Sequence, residues 1–205
     1  MRAHICMAKY TLSLNPWMRA CIITCQARKD ILAKTLESYH AADFTAPPVV
    51  INDVGHNVDP KASQMGNSFY AITTMLKLPW EWLLFAEDDV EFNQHIEHNL
   101  KTWDLVQNNK MQFARLYGAD NVGLVPDCTQ IGGSQGLFFL RSAALKIVAN
   151  WHNFPGSYMQ DLRMFQTIKE IYTHQPNLIQ HRAAASTWGG LPHTSPTYAA
   201  AWRRE

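Results

Sequence analysis

The stretch ACIITCQARKDILAKTLESYHAADFTAPPVVIND, residues 20–53, holds two short apolar runs separated by a helical pattern. ACIIT, residues 20–24, is rich in β-branched residues and ends in Thr24, which can begin a turn. In the segment that follows, Leu32, Leu36 and Tyr39 recur at the spacing of one helix face and predict an amphipathic helix. Ala46-Pro47-Pro48 breaks that pattern, and VVIND forms a second apolar strand ending in Asn52 and Asp53. Strand, helix and strand in this order are the βαβ pattern of a parallel sheet. Ligands of such sheets gather at the carboxyl ends of the strands. Thr24, Arg28, Asn52 and Asp53 all lie at such ends.

Further along, WLLFAEDDVEF, residues 82–92, places Glu87, Asp88 and Asp89 directly after an apolar run, with Glu91 close behind. Trp82 to Ala86 predicts a third strand, so the acids emerge where the first two strands also end. Clustered carboxylates raise one another's pKa values and call for a compensating positive charge. A divalent cation bound through oxygen ligands supplies one; the plainer alternative is that the acids cap the next turn and face water. The spaced acids and central glycine of an EF-hand are missing.

The remaining pattern predicts helices over about 64–77, 94–107 and 158–172, and one capped by Ser142. Strands are predicted at MQFARLYG, at GLFFL after the turn GGSQG (132–136), and at NLIQH. Residues 54–63 read as a polar loop. GGSQG lets backbone approach a ligand, or is a plain turn; it is no phosphate-binding Walker loop, since no GKS or GKT follows. HIEH, residues 95–98, lacks the order of a zinc motif and is assigned to a solvated helix face. Trp188 is a candidate for stacking on a ligand ring.

The chain has 205 residues, enough for one domain with a sizeable core. Its formal net charge of +1 gives no global field toward DNA or anionic lipid, although a local basic patch stays open. No apolar stretch is long enough to span a bilayer, and MRAHICMAKYTLSLNP lacks the apolar core and cleavage site of a signal peptide. Cys6, Cys21, Cys25 and Cys128 have neither CxxC nor zinc spacing and read as reduced thiols, which points to a cytoplasm. We expect an N-terminal extension (1–19), a single domain (20–181) and a C-terminal tail (182–205) that acts as a mobile cover of the site.

WLLFAEDDV resembles the DxD region of GT-A glycosyltransferases, which use nucleotide-sugar donors. Its EDDV form is similar to that of the lipooligosaccharide glycosyltransferases and the N-acetylglucosaminyltransferase IV group. Residues 21–53 resemble the opening nucleotide-binding unit of GT-A enzymes. NLIQHRAAAS resembles the late Q-H-x-G-x-x-S element of the same group, with Arg182 and Ala183 where that group has a small residue and glycine. The resemblance spans roughly residues 20–190. It implies an α/β, Rossmann-like fold: a mixed, mainly parallel sheet flanked by helices.

The resemblance also implies roles. Asp89 matches the direct ligand of a divalent metal, often manganese, that is held through the donor diphosphate. Glu87 matches the residue facing the ribose or a metal-bound water, and Asp88 lies between them. Thr24, Arg28 and Asp53 match nucleotide-contacting positions. His181 matches a metal or phosphate ligand, with a core histidine as the alternative. Asp161, opening a helix after GSYMQ, matches the carboxylate that takes the acceptor's proton in inverting enzymes; equally, it favours the helix N-terminus electrostatically.

The expectation is therefore a metal-dependent, inverting glycosyltransferase using Mn2+ or Mg2+ and a UDP-linked donor. Its acceptor is a saccharide, a lipid-linked glycan, a protein or a modified DNA base. A metal-dependent phosphohydrolase or nuclease, and a non-catalytic nucleotide-sugar-binding module, are the competing readings.

Overall fold

The computed structural model describes residues 16–54, 59–118, 124–126, 133, 135–154, 159–182 and 194–205. The strands are β1 (Met18–Cys25), β2 (Val49–Asp53), β3 (Trp82–Glu87), β4 (Val90–Phe92), β5 (Phe113–Arg115), β6 (Leu124–Pro126), β7 (Gly136–Leu140), β8 (Glu170–Thr173) and β9 (Ile179–His181). The helices are α1 (Lys29–Ala41), α2 (Pro60–Met75), α3 (Ile96–Lys101), α4 (Asp104–Gln107), α5 (Arg141–Asn150) and α6 (Gln160–Thr167).

A seven-stranded sheet runs β2-β1-β3-β7-β5-β8-β6. β1 is parallel to β2 and β3, and β5 to β8, while β7 is antiparallel to β3 and β5, and β6 to β8. The fold is thus α/β with a mixed, mainly parallel sheet. The predicted βαβ unit is its first part.

Side chains alternate across the sheet, because successive residues of a strand face opposite sides. Ala20, Ile22, Trp82, Leu84 and Phe138 pack with Tyr39, Phe44, Ile96 and Leu100 on the side of α1 and α3. Cys21, Ile23, Leu83, Phe85 and Phe139 pack with Ile72, Met75, Ala144, Ile147 and Phe165 on the side of α2, α5 and α6. Buried on both faces, the central strands need continuous apolar runs, which is how ACIIT and WLLFA read. Cross-strand aromatic pairs reinforce the register: Phe113 sits opposite Phe139 with parallel rings 5.2 Å apart, and Trp82 stacks on Phe138 at 4.5 Å.

Several boundaries differ from the sequence expectation. α2 starts at Pro60, within the expected loop: Asp59 caps it by accepting the Ala62 N–H, and proline occupies the first turn, where its missing donor costs nothing. The expected 158–172 helix stops at Thr167, and Ile168 turns extended into β8. Phe165, Ile168 and Tyr172 imitate a helix face, yet β-branched Ile171 and Thr173 are buried in a sheet. The expected 94–107 helix is broken at extended Trp103 into α3 and α4. Ser142 does not cap α5, which begins at Arg141 with no side-chain cap; the Arg141 N–H instead donates to Glu81 O.

The HIEH segment is not a solvated face. Glu97 is buried and accepts from Thr45 N, Thr45 Oγ1 and Lys101 Nζ, while Asp43 accepts the N–H groups of Glu97 and His98. Residues 194–205 lie against the same element: Ala199 O and Trp202 O accept from Asn93, Trp202 O also from Asn99, and Arg204 pairs with Asp104. A cavity of about 490 Å3, lined by Trp17, Trp80, Glu81, Leu140 and Arg141, opens at the amino ends of β1 and β3, opposite the acids. Among the described residues, no helix is long and apolar enough to cross a membrane. Cys21 and Cys25 are buried free thiols; Cys6 and Cys128 fall outside the described residues.

His174, which follows β8, is fully buried. Its Nδ1–H donates to Pro176 O at 2.7 Å, Nε2 has no hydrogen-bond partner, and the rings of Trp103 and Trp202 meet it edge-on. Burial holds the imidazole neutral, with its pKa pushed down to about 4. Between the ordinary histidine pKa near 6.5 and about 4, the unfolded chain takes up a proton that the folded chain refuses. Stability is therefore full above that window and falls as pH drops through it, by on the order of 3 kcal/mol. We expect His174→Gln to flatten this part of the stability profile in urea unfolding at pH 7, 5.5 and 4. A variant whose profile stays as steep as wild type would remove His174 as the source.

Candidate functional site

The site forms at the carboxyl ends of β1, β2 and β3. Thr24 pairs with Asn52, Cys25 with Asp53, and Ile23 with Glu87, so register brings these strand ends level. A 3-10 turn, Gln26–Arg28, leads from β1 into α1 and carries Arg28 over the acidic turn. Asp88 and Asp89 fill the turn between β3 and β4, each only 3% exposed. The short β4–β9 ribbon sets Val90 opposite His181.

Thr24, Arg28, Asp88, Asp89 and His181 form one network. Thr24 Oγ1 donates to Asp88 Oδ2 (2.5 Å), and Arg28 Nε to Asp88 Oδ1 (2.7 Å). Arg28 Nη2 donates to Asp89 Oδ2 (2.5 Å), which also lies 3.3 Å from His181 Nε2. One guanidinium thus bridges both aspartates, with its planar fork matched to two carboxylates at once. The resemblance places Arg28 at the nucleotide; in the structure its guanidinium also serves as a counter-charge to the acid pair.

Two carboxylates sharing one guanidinium are pushed apart in acidity. Burial raises Asp88 above the ordinary carboxylate range, more than Arg28 and the Thr24 hydroxyl lower it. Burial also acts on Asp89, but the His181 hydrogen bond and the charge of Arg28 outweigh it and hold Asp89 below that range. Arg28 is costly to bury, yet the two aspartates keep its pKa raised.

The backbone of the acidic turn is fastened from α1. Buried Thr35 donates to Asp88 O (2.6 Å) and accepts the Val90 N–H (3.2 Å). From the other side, Arg182 N donates to Asp89 O at 2.7 Å. Thr35 was not among the sequence candidates; a hydroxyl on the core face of an amphipathic helix was the available signal. Tyr117 was also missed. Its ring centroid lies 6.1 Å from that of His181, and burial, with the nearby Asp89 charge, pushes its phenol up to about 12.

A second branch starts at Glu87. Gln160 Nε2 donates to Glu87 Oε1 at 2.9 Å, and Ser68 Oγ donates to Gln160 Oε1, which joins α2 and α6 beneath the strand end. The next residue, Asp161, is buried. Its Oδ2 accepts Gly133 N–H (2.6 Å) and its Oδ1 accepts Leu162 N–H (2.9 Å). Burial raises its pKa, more than these N–H groups lower it. Gly133 has φ +130°, a conformation that glycine tolerates, and it reaches Asp161 through its own backbone N–H. Asp53 accepts from Ser63 Oγ of α2 at 2.5 Å. Gly132, Ser134 and Trp188 fall outside the described residues.

One buried oxygen in the network, Asp89 Oδ1, has no hydrogen-bond partner. An unsatisfied buried carboxylate oxygen is costly and marks a place for a cation or donor. Among the described residues, no group of three or more His, Cys, Asp or Glu side chains is placed to hold a metal ion. The unpartnered Asp89 Oδ1 and the neighbouring His181 are the groups here whose chemistry suits a cation.

The sequence matches no family model and no curated protein. Among solved structures, it is similar to a glycosyltransferase involved in glycosylation of the major capsid of PBCV-1, at 12% identity and a TM-score of 0.49, over 77% of this chain and 82% of that one. It is also similar to S. aureus TarS in complex with UDP-GlcNAc, at 12% identity and 0.47, over 77% of this chain and 56% of that one. For the apo-form glycosyltransferase GlyE of Streptococcus pneumoniae TIGR4, the values are 8% and 0.46, over 88% of this chain and 58% of that one. The chain thus spans little more than half of the TarS and GlyE chains.

Thr24→Val keeps the side-chain shape but leaves Asp88 Oδ2 without its hydroxyl donor. We expect a loss of about 1–3 kcal/mol in urea unfolding at pH 7, the scale for a buried charged acceptor losing its donor. Wild-type stability would mean that the bond contributes nothing net.

Proposed function

We propose that the protein is a metal-dependent glycosyltransferase that moves a sugar from a nucleotide-sugar donor, UDP-linked, to an acceptor hydroxyl with inversion. The observation that carries this reading is Asp89: an acid at a strand end, buried, with one oxygen unpartnered and the other shared by Arg28 and His181. The resemblance of EDDV and of the late Gln180-His181 element to GT-A sequences supports it from another direction.

Asp89 and His181 would hold the metal, Mn2+ or Mg2+, and when bound it would supply Lewis-acid stabilisation of charge developing on the departing diphosphate. Arg28 adds a planar cation to the same place, suited to phosphate oxygens. Thr24 and Asp53, at neighbouring strand ends, border the nucleoside. Glu87, held by Gln160, faces the ribose side, and Asp88 fixes Thr24 and Arg28.

We assign the acceptor's proton to Asp161. Burial raises its pKa, which makes it a stronger base than an exposed carboxylate, and it lies one residue from the Gln160 that binds Glu87. Gly133 N–H must share or release Oδ2 for the carboxylate to accept that proton. The acceptor remains one of four classes: saccharide, lipid-linked glycan, protein or modified DNA base.

The test starts with UDP-sugars and manganese, UDP-GlcNAc first, and follows UDP release by NMR. We expect Asp89→Ala to abolish turnover while its far-UV spectrum stays that of wild type. A folded Asp89→Ala variant with substantial activity would take Asp89 out of the site. Release of UMP and sugar 1-phosphate instead of UDP would favour a phosphohydrolase, and nucleotide binding without turnover a binding module.

Asp161→Asn is expected to lower turnover by roughly two to four orders of magnitude, the usual scale for a lost general base. It also places an NH2 group against Gly133 N–H or Leu162 N–H, so stability must be measured alongside. A destabilised variant with near-wild-type turnover, or a product of retained configuration, would leave Asp161 with a structural role alone.

A further inference from the structure

Three of the four carboxylate oxygens of Asp88 and Asp89 are engaged by Arg28, Thr24 or His181. Half of the compensating charge that the aspartate pair requires is therefore already present, and it belongs to the chain. We propose that Arg28 is the resident counter-cation of the acid pair, and that metal and nucleoside diphosphate displace it only together. This rests on the functional reading above.

The argument is electrostatic. A divalent ion approaching Asp89 meets a guanidinium hydrogen-bonded to Asp89 Oδ2 at 2.5 Å. Both Asp residues are buried, where repulsion between cations is weakly screened. Two carboxylates already share one guanidinium, so a metal arriving alone must either evict Arg28, leaving it without its carboxylate partners, or share Asp89 against its charge. A diphosphate changes this balance. It brings negative charge for the metal and a bidentate acceptor for Arg28. Arg28 is placed to change partners, because it stands at the junction of the 3-10 turn and α1 with its side chain 17% exposed, whereas each aspartate side chain is 4% exposed. The exchange makes metal and nucleotide cooperative, and by linkage each raises the other's affinity by the same factor.

The experiment measures Mn2+ binding by electron paramagnetic resonance, without nucleotide, for wild type, Arg28→Gln and Arg28→Lys. UDP affinity is then measured by calorimetry with and without Mn2+, and thermal unfolding checks each variant. We expect weak nucleotide-free Mn2+ binding in wild type and binding at least about tenfold tighter in Arg28→Gln. The factor by which Mn2+ improves UDP binding, of order 5–150 in wild type, should fall toward one in that variant. Arg28→Lys, with a charge but no fork, should fall between the two, and it serves as the test if the glutamine variant does not fold.

Nucleotide-free Mn2+ affinity no tighter in either folded variant than in wild type would overturn the proposal. If wild-type UDP binding still improves with Mn2+ in that case, the functional reading survives. If wild type binds no UDP under either condition, that reading fails, and the exchange fails with it.

Discussion

The guanidinium of Arg28 between Asp88 and Asp89 is the contact on which the rest of the site depends. It joins the end of β1 to the end of β3, neutralises half of a buried charge pair, and leaves the shared Asp89 oxygen available to His181. Removing one member of a buried ion pair generally costs about 3–5 kcal/mol, because the remaining charge stays desolvated. The surrounding structure holds each partner in place. Thr24 orients Asp88, Thr35 and Arg182 fasten the backbone of the turn, and the parallel β1–β3 pairing keeps the strand ends level.

The first half of the chain was legible because its signals are local. Short apolar runs, a helix face and a proline break define β1, α1 and β2 within a continuous stretch, and the apolar run before Glu87 marks β3. Asp88, Asp89, Thr24, Arg28 and His181 were identified as site residues, and the structure brings all five together. Their mutual contacts were not legible, since hydrogen bonds between residues 60 or more positions apart leave no periodicity to read. That is why the pairing of Arg28 with the acids left no trace in the sequence.

The misread elements share a cause. In 158–172, apolar residues at helical spacing continue into a strand, and short strands and helix ends look alike by period alone. At α5, a serine in a plausible capping position lost to Arg141. That arginine donates to Leu76 O and Leu78 O, closing the carboxyl end of α2, while its own N–H takes Glu81 O. Such a choice depends on a neighbour over 60 residues away and is settled by tertiary contact. Gln160 and Thr35 were missed for a similar reason: each is a polar residue on a helix whose partner lies on another element.

The β4–β9 ribbon gives the site a dependence on chain order. It consists of three residue pairs, Val90–His181, Glu91–Gln180 and Phe92–Ile179. Alternate residues of a strand face opposite ways, so a slip of one position would turn His181 away from Asp89 and bring Gln180 or Arg182 opposite Val90. The ribbon is too short to resist such a slip by its own ladder. Arg182 N on Asp89 O, and the Gln180 side chain, whose oxygen accepts Ser195 N–H and whose amide donates to Ser195 O, act as pins at its two sides. Arg28 can meet the aspartates as soon as β1 and β3 pair, but the histidine arrives from the last strand and is locked by residues beyond it. The acidic turn is thus completed from two distant parts of the chain: its guanidinium comes from the end of the first strand, and its imidazole from a last strand that Ser195 helps to hold in register.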